Sequence, residues 1–294
     1  MPTWTQMMEE ATCIPDHLRS VRSRVLMIDA DLANHFLDSN VDNYRKPSKL
    51  HINKIAKDIK NDLWSFTNAS IAFDVDGKLV DGQHRLMAIT TTDKKVPVLV
   101  VDGLPRQSCG NPAADTGMKR MASHHLQNNG VINSRDVAAT ARKICGLLLS
   151  NENAADKNMT DSAVVQTVIE NSDIESSVHK MISSKRLCPV SVASAWYWVA
   201  RQVNEALADE FADCLLGQKE CTSFDPAIKL RETLLAAKNK NERVQSNRQI
   251  NLFFSAWQKK QEGLPVRNLR EQKDLAIPIF VKKRIESMRN RTNS

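Results

Sequence analysis

The sequence predicts an α+β protein, in which a small mixed-sheet domain is followed by an all-α domain. Residues 70–75 alternate apolar and polar side chains as a half-buried strand does, and Asp76-Gly77 is typical of a two-residue hairpin turn. From Asn133 onward, apolar residues recur only at helical spacing, with polar breaks between the segments. The length of 294 residues suits two domains, which we place at residues 1–126 and 127–294.

The strands and the helix around the hairpin can be assigned from their patterns. Residues 78–80 return from the turn as a second strand, and residues 86–89 give a short helical face. Residues 95–101 predict a buried strand, in which Pro97 indicates either a sheet edge or the start of the strand.

A polar loop connects the second strand to the helix, and its residue types suit a phosphate ligand. Gly82 would let the backbone approach a ligand, Gln83 and His84 lie at the helix start, and Arg85 can bind phosphate oxygens bidentately. His84 can donate from either ring nitrogen. In the alternative interpretation, Asp81 only caps the helix and Arg85 pairs with a surface carboxylate.

Residues 81–85, Asp-Gly-Gln-His-Arg, resemble a motif of the ParB/sulfiredoxin superfamily, of the type found in ParB-like phage and bacterial proteins and in free-serine kinases. In those relatives the strand, loop and helix hold nucleotide phosphates or a phosphorylated group. The resemblance covers roughly residues 20–125. It implies a first strand at residues 25–28, a short helix at 31–37 and an amphipathic helix from Leu50 to Trp64.

The resemblance also implies ligands and excludes some activities of the superfamily. ATP or CTP with Mg²⁺ is the implied cofactor, with Asp81 as the metal ligand, and a phage or mobile-element origin is suggested. Sulfiredoxin has a cysteine where this chain has Gln83, which argues against sulfinic-acid reduction. The arginine-rich loop of the CTP-dependent clamp proteins is absent, which disfavours a clamp.

A second polar cluster follows the last predicted strand. Asp115 is an acid beside Thr116, and Lys119 and Arg120 are two cations that could close over a triphosphate or a nucleic-acid backbone. The alternative is an ordinary basic start of a helix.

The charge favours a polyanionic partner. The net charge is +7 and the pI is about 9.1, so DNA is the leading macromolecular candidate. Lys282, Lys283 and Arg284 are the expected nucleic-acid contacts, although a charge run is more often a solvated face. We see no signal peptide and no membrane-spanning run, and we expect a cytoplasmic protein without a membrane partner. The oligomeric state stays open, with a homodimer among the options.

The six cysteines show no CxxC and no paired cysteine and histidine spacing. We therefore expect reduced thiols, without a disulfide or a structural zinc. Residues 162–182 and 189–208 could hold a helix-turn-helix, but Trp196, Tyr197 and Trp198 are more typical of a core than of base-contacting residues.

Three functional hypotheses follow. The first is a nucleotide-dependent phosphotransferase or hydrolase acting on or with DNA, in which Asp81, His84 and Arg85 are catalytic. The second is a ParB-like DNA-binding regulator or nucleotide switch without turnover. The third is a metal-dependent nuclease, which would need Asp74, Asp76, Asp81 and Asp115 to cluster.

Overall fold

The chain forms two compact units, Met1–Lys119 and Arg120–Asn293. The first unit combines a mixed sheet with helices and the second is helical, which confirms the predicted fold class. The predicted boundary at residue 126 would fall inside helix Ala122–Asn128, which packs on the helices that follow it. The computed structural model describes residues 15–38, 47–106, 121–147, 159–239, 245–271 and 277–290.

The first unit contains the strands and helices expected for residues 25–101, but the helix expected from Leu50 to Trp64 ends at Lys60. A 3₁₀ turn at Asp16–Leu18 precedes them. In chain order they are β1 (Arg22–Ile28), α1 (Ala30–Asp38), α2 (Lys49–Lys60), β2 (Ser70–Asp74), β3 (Leu79–Asp81), α3 (Gln83–Ile89) and β4 (Val96–Leu104).

The strands of the described residues form one sheet in the order β1-β4-β2-β3. β1 runs antiparallel to β4, β4 parallel to β2, and β2 antiparallel to β3. Pro97 is the second residue of β4 and pairs with Met27 of β1. Because β4 lies inside the sheet, Pro97 marks the start of the strand, and the edge alternative is wrong.

The core of this unit lies between the sheet and its helices. It is built from fully buried side chains that include Ile28, Ile71 and Leu86. The predicted hairpin is confirmed, and Asp74 organises its turn: Oδ1 accepts from the backbone N–H groups of Asp76 and Lys78, both at 2.9 Å. The hairpin thus fixes where β3 begins, and the polar loop follows the three residues of that strand.

The second unit is helical throughout its described residues, as its periodicity predicts, and none of the described helices is long and apolar enough to cross a membrane. It also contains a 3₁₀ segment at Ile182–Arg186. The helices are α4 (Ala122–Asn128), α5 (Ser134–Gly146), α6 (Asp161–Glu170), α7 (Asp173–Met181), α8 (Val190–Val203), α9 (Glu205–Leu216), α10 (Pro226–Asn239), α11 (Ser246–Gln261) and α12 (Ile279–Asn290).

Helix α8 is the central element of this unit. Its residues 192–200 are all buried, and Trp196 packs against the rings of Phe211, Phe253 and Trp257 at centroid distances of 4.8 to 5.8 Å. A helix that is buried on all sides cannot enter a DNA groove. The helix-turn-helix interpretation is therefore wrong for α8, and the prediction of a core role for its aromatic residues is confirmed.

A disulfide joins Cys214 to Cys221, with a Cα–Cα distance of 6.0 Å, so the prediction of reduced thiols throughout is wrong for this pair. Cys214 lies in the last turn of α9. Gly217, with φ +75°, ends that helix and turns the chain so that Cys221 returns to it. Cys145 and Cys188 are free thiols, as predicted, and both are buried.

Candidate phosphate-binding site

The loop between β3 and α3 is shaped by the close approach of Gly82 to β2. Gly82 has φ +106°, and a Cβ atom at this position would lie 2.9 Å from Cγ1 of Ile71. Glycine is therefore required by packing within the protein. The residue type alone predicted that Gly82 lets the backbone approach a ligand, and the structure adds this packing requirement.

Asp81 and Arg85 are held together across the start of α3. Asp81 accepts the backbone N–H of Gly82 at 2.7 Å through Oδ1, and Nη2 of Arg85 at 2.8 Å through Oδ2. The Arg85 side chain is only 17% exposed, whereas that of Asp81 is 70% exposed. Arg85 is thus set in a fixed position beside the loop, paired with a carboxylate that faces solvent.

His84 connects the loop to the start of α2. Its Nε2 accepts the backbone N–H of Ser48 at 3.0 Å, so the ring hydrogen of the neutral imidazole is on Nδ1. Nδ1 is then the nitrogen that can donate to a ligand. The sequence alone had left both ring nitrogens as possible donors. The ring of His51 meets that of His84 edge-on, with centroids 5.2 Å apart.

Two helix N-termini therefore meet at His84. Ser48 is the N-cap of α2, and its Oγ accepts the N–H of His51 at 3.4 Å. Gly82 is the N-cap of α3, so Gln83 and Arg85 lie in the first turn of that helix. The first N–H groups of a helix lack intrahelical partners and carry its positive dipole end, which favours an anion.

Sequence reasoning missed the contribution of α2 to this site. Ser48 and His51 lie 33 and 30 residues before Asp81, and only the fold brings them to the motif. One signal was present: a serine directly before an amphipathic helix is typical of an N-cap. Gln83, which the sequence did predict, is half-buried at the first position of α3.

The carboxylates proposed for a nuclease do not come together in the described residues. Asp74 is buried in the hairpin turn, and Asp76 pairs with Arg106, whose hydrogen bond holds the pKa of that carboxyl below its usual value. Both lie at the opposite end of β3 from Asp81. Among the described residues, one group has the spacing to hold a metal ion, namely Cys214, Cys221 and Asp225, and the disulfide already uses its two sulfur atoms.

Asp81 does suit Mg²⁺ beside a phosphate. Mg²⁺ is usually held by one or two carboxylates together with phosphate oxygens and water. The exposed carboxylate of Asp81 could serve as such a ligand once Arg85 has turned to a phosphate.

The sequence also predicted site residues in a second polar cluster and in a basic run near the end of the chain. Asp115, Thr116, Lys119 and Arg120 lie outside the described residues. Lys282 and Lys283 are exposed on α12.

Arg284 is engaged within the helical unit. Its guanidinium contacts Asp173 at 3.0 Å, the side chain of Gln202 at 3.1 Å, and the ring of Trp198 at 4.8 Å from the centroid. These contacts anchor α12, so the structure gives Arg284 a packing role where the sequence predicted a nucleic-acid contact.

The loop, the paired helix starts and the fixed arginine together form a candidate site for a phosphate group. Comparison of the chain with protein-family models, with curated proteins and with solved structures finds no match.

Proposed function

We propose that the first unit binds the phosphates of a nucleotide, ATP or CTP, between the N-termini of α2 and α3. The observation that carries this proposal is the hydrogen bond from Ser48 to His84, because it brings two helix N-termini to one point. Arg85 adds a cation, and Nδ1 of His84 adds a donor. The motif's resemblance to the ParB/sulfiredoxin superfamily supports the same ligand.

The ion pair between Asp81 and Arg85 gives this site a way to respond to its ligand. A phosphate offers Arg85 a more highly charged partner than one carboxylate, so we expect a bound phosphate to displace Asp81 from Arg85. Asp81 is then released, and its exposed carboxylate can hold Mg²⁺ against the phosphates. Ligand binding would thus change the charge that this face of the unit presents to solvent.

Binding is the part of the function that this geometry supports most strongly. Phosphoryl transfer or hydrolysis is the second candidate, favoured by the exposure of Asp81, which would be the acid closest to bound phosphates. DNA is the proposed macromolecular partner, on the strength of the net charge of +7 and the exposed Lys282 and Lys283.

The test is a calorimetric titration of the whole chain with ATP, CTP and GTP, with and without Mg²⁺. We expect saturable binding of one nucleotide, and a loss of at least tenfold in affinity for Arg85→Ala. Arg106→Ala is the matched control, because it removes a cation of the same unit that pairs with Asp76 away from the loop. Equal affinity of the wild type and Arg85→Ala would refute the site.

Two further assays separate the remaining alternatives. Release of inorganic phosphate from the bound nucleotide, abolished in Asp81→Asn, would establish turnover. Duplex DNA binding measured on the same variants tests the partner: loss of nucleotide binding alone for Arg85→Ala supports the nucleotide site. Loss of DNA binding alone would mean that the loop contacts the DNA backbone.

A further inference from the structure

The helical unit contains a cavity of about 660 Å³, open to solvent on one side, that the function proposed above does not use. It is lined by the starts of α5 and α8, by the segment that leads into α8, and by side chains of α10 and α11. Its volume lies within the range of small-molecule sites.

The wall of this cavity is both apolar and cationic. Leu187, Val190 and Leu234 supply apolar surface, while Arg135 and Lys185 supply positive charge. Neither of these two cations forms an ion pair with any residue that the structure describes. Two cations that have no ion-pair partner in the described part of the chain, beside an apolar wall, suit a ligand that has an apolar part and an anionic part.

A third cation and one acid complete the charges of the lining. Lys238 donates through Nζ to the backbone oxygen of Arg186 at 2.8 Å, and Asp136 lies in the first turn of α5. The lining of the cavity thus contains three cations and one carboxylate. The first turn of the 14-residue helix α8, at Val190 and Ser191, adds the positive end of a helix dipole.

Two polar groups of the lining bear on the kind of ligand. Gln249 lines the cavity, and its Oε1 is buried with no hydrogen-bond partner among the described residues. Rotation of this side chain into the cavity would let the oxygen accept from a ligand donor. Burial raises the pKa of the Cys188 thiol to about 12, so this side chain stays neutral and does not repel an anion.

We propose that this cavity binds a nucleoside monophosphate, with the base against the apolar wall and the phosphate between Arg135, Lys185 and the start of α8. A base amino or imino group supplies the donor that Gln249 lacks. This site is separate from the loop of residues 81–85 and does not depend on the function proposed for it.

The test uses a chain that lacks nucleotide binding at residues 81–85, so that binding to the cavity is measured by itself. The whole chain carrying Arg85→Ala is titrated with AMP, GMP, CMP, UMP and inorganic phosphate. We expect one nucleoside monophosphate to bind with a stoichiometry of one, and inorganic phosphate to bind at least tenfold more weakly, because it cannot use the apolar wall or Gln249.

Variants of the lining identify the cavity as the place of binding. Arg135→Ala combined with Lys185→Ala should weaken binding at least tenfold, and both positions are exposed, so the fold is preserved. Gln249→Leu should reduce the discrimination between bases. Arg186→Ala is the matched control, since it removes an adjacent exposed cation that does not line the cavity.

Three outcomes would overturn the proposal. They are the absence of monophosphate binding to the Arg85→Ala chain, equal affinity for inorganic phosphate, and equal losses in Arg186→Ala and in the double variant. None of these outcomes bears on the nucleotide site of the first unit, which is tested by Arg85→Ala against the wild-type chain.

Discussion

The Nε2 atom of His84 accepts a hydrogen bond at 3.0 Å from the backbone N–H of Ser48, 36 positions earlier in the chain. This contact joins the first turn of α3 to the N-cap of α2. It satisfies one of the N–H groups that a helix start leaves without an intrahelical partner, and it orients the imidazole. His84 therefore has a structural role and a proposed ligand-binding role at once.

Replacing His84 separates these two roles. His84→Ala should lower the free energy of unfolding by about 1 kcal/mol, the usual net value of one hydrogen bond, and should lower nucleotide affinity at least tenfold. Urea unfolding and calorimetry measure the two effects. His35→Ala, at an exposed position of α1, is the control and should change neither. Unchanged affinity in His84→Ala would remove this residue from the site.

The two glycines of the hairpin region should respond differently to substitution. Gly82→Ala places a Cβ atom against Ile71 at positive φ, and we expect a cost of about 3 kcal/mol. Gly77→Ala has φ +76° but no atom within 4 Å of the added carbon, so only the conformational cost of about 1 kcal/mol applies. Denaturant midpoints of both variants test the difference, and equal costs would contradict the packing explanation.

The disulfide between Cys214 and Cys221 should make stability depend on reductant. The bond closes a short loop, for which the loss of chain entropy in the unfolded state corresponds to about 2 kcal/mol. Cys221→Ser should lose this amount without reductant and nothing in its presence. Unfolding curves with and without dithiothreitol provide the measurement. Identical wild-type curves under both conditions would show that the bond does not contribute.

Lys260 should set part of the acid sensitivity of the helical unit. Its Nζ lies 2.7 Å from Asp225 and 3.2 Å from Glu210, and both Lys260 and Asp225 are nearly buried. Lys260→Met leaves the carboxylate of Asp225 without its cation, at a cost of about 1–3 kcal/mol at pH 7. Urea unfolding at pH 7 measures this cost.

The pH dependence has a definite sign. The hydrogen bond from Lys260 lowers the pKa of Glu210 below its usual 4.5, so this carboxyl contributes stability above pH 4.5 and loses it as pH falls through the lowered pKa. Lys260→Met removes that contribution, and its stability should fall less than that of the wild type between pH 5 and pH 3. Parallel pH profiles would contradict the role of this ion pair.

The elements with strong local patterns could be predicted from the sequence. The hairpin at Asp76-Gly77, the helix after the motif and the buried aromatic residues of α8 all follow from turn chemistry and periodicity. The candidate loop was also found, because its residue types are adjacent in the chain.

The features that depend on distant or unfamiliar spacings could not be predicted. The contact of Ser48 with His84 exists only once α2 and α3 pack together. The pairing of Cys214 with Cys221 depends on the turn at Gly217, and a seven-residue spacing has no standard motif. The engagement of Arg284 with Trp198 likewise comes from packing that a run of basic residues does not reveal.

The most direct test of the proposed phosphate site is a nuclear magnetic resonance titration of the whole chain, with ¹⁵N-labelled histidine rings, against ATP or CTP with Mg²⁺. We predict saturable shifts for the rings of His84 and His51, while those of His124, His125 and His179 in the helical unit stay unchanged. Saturating nucleotide that leaves the signals of His84 and His51 in place would contradict it.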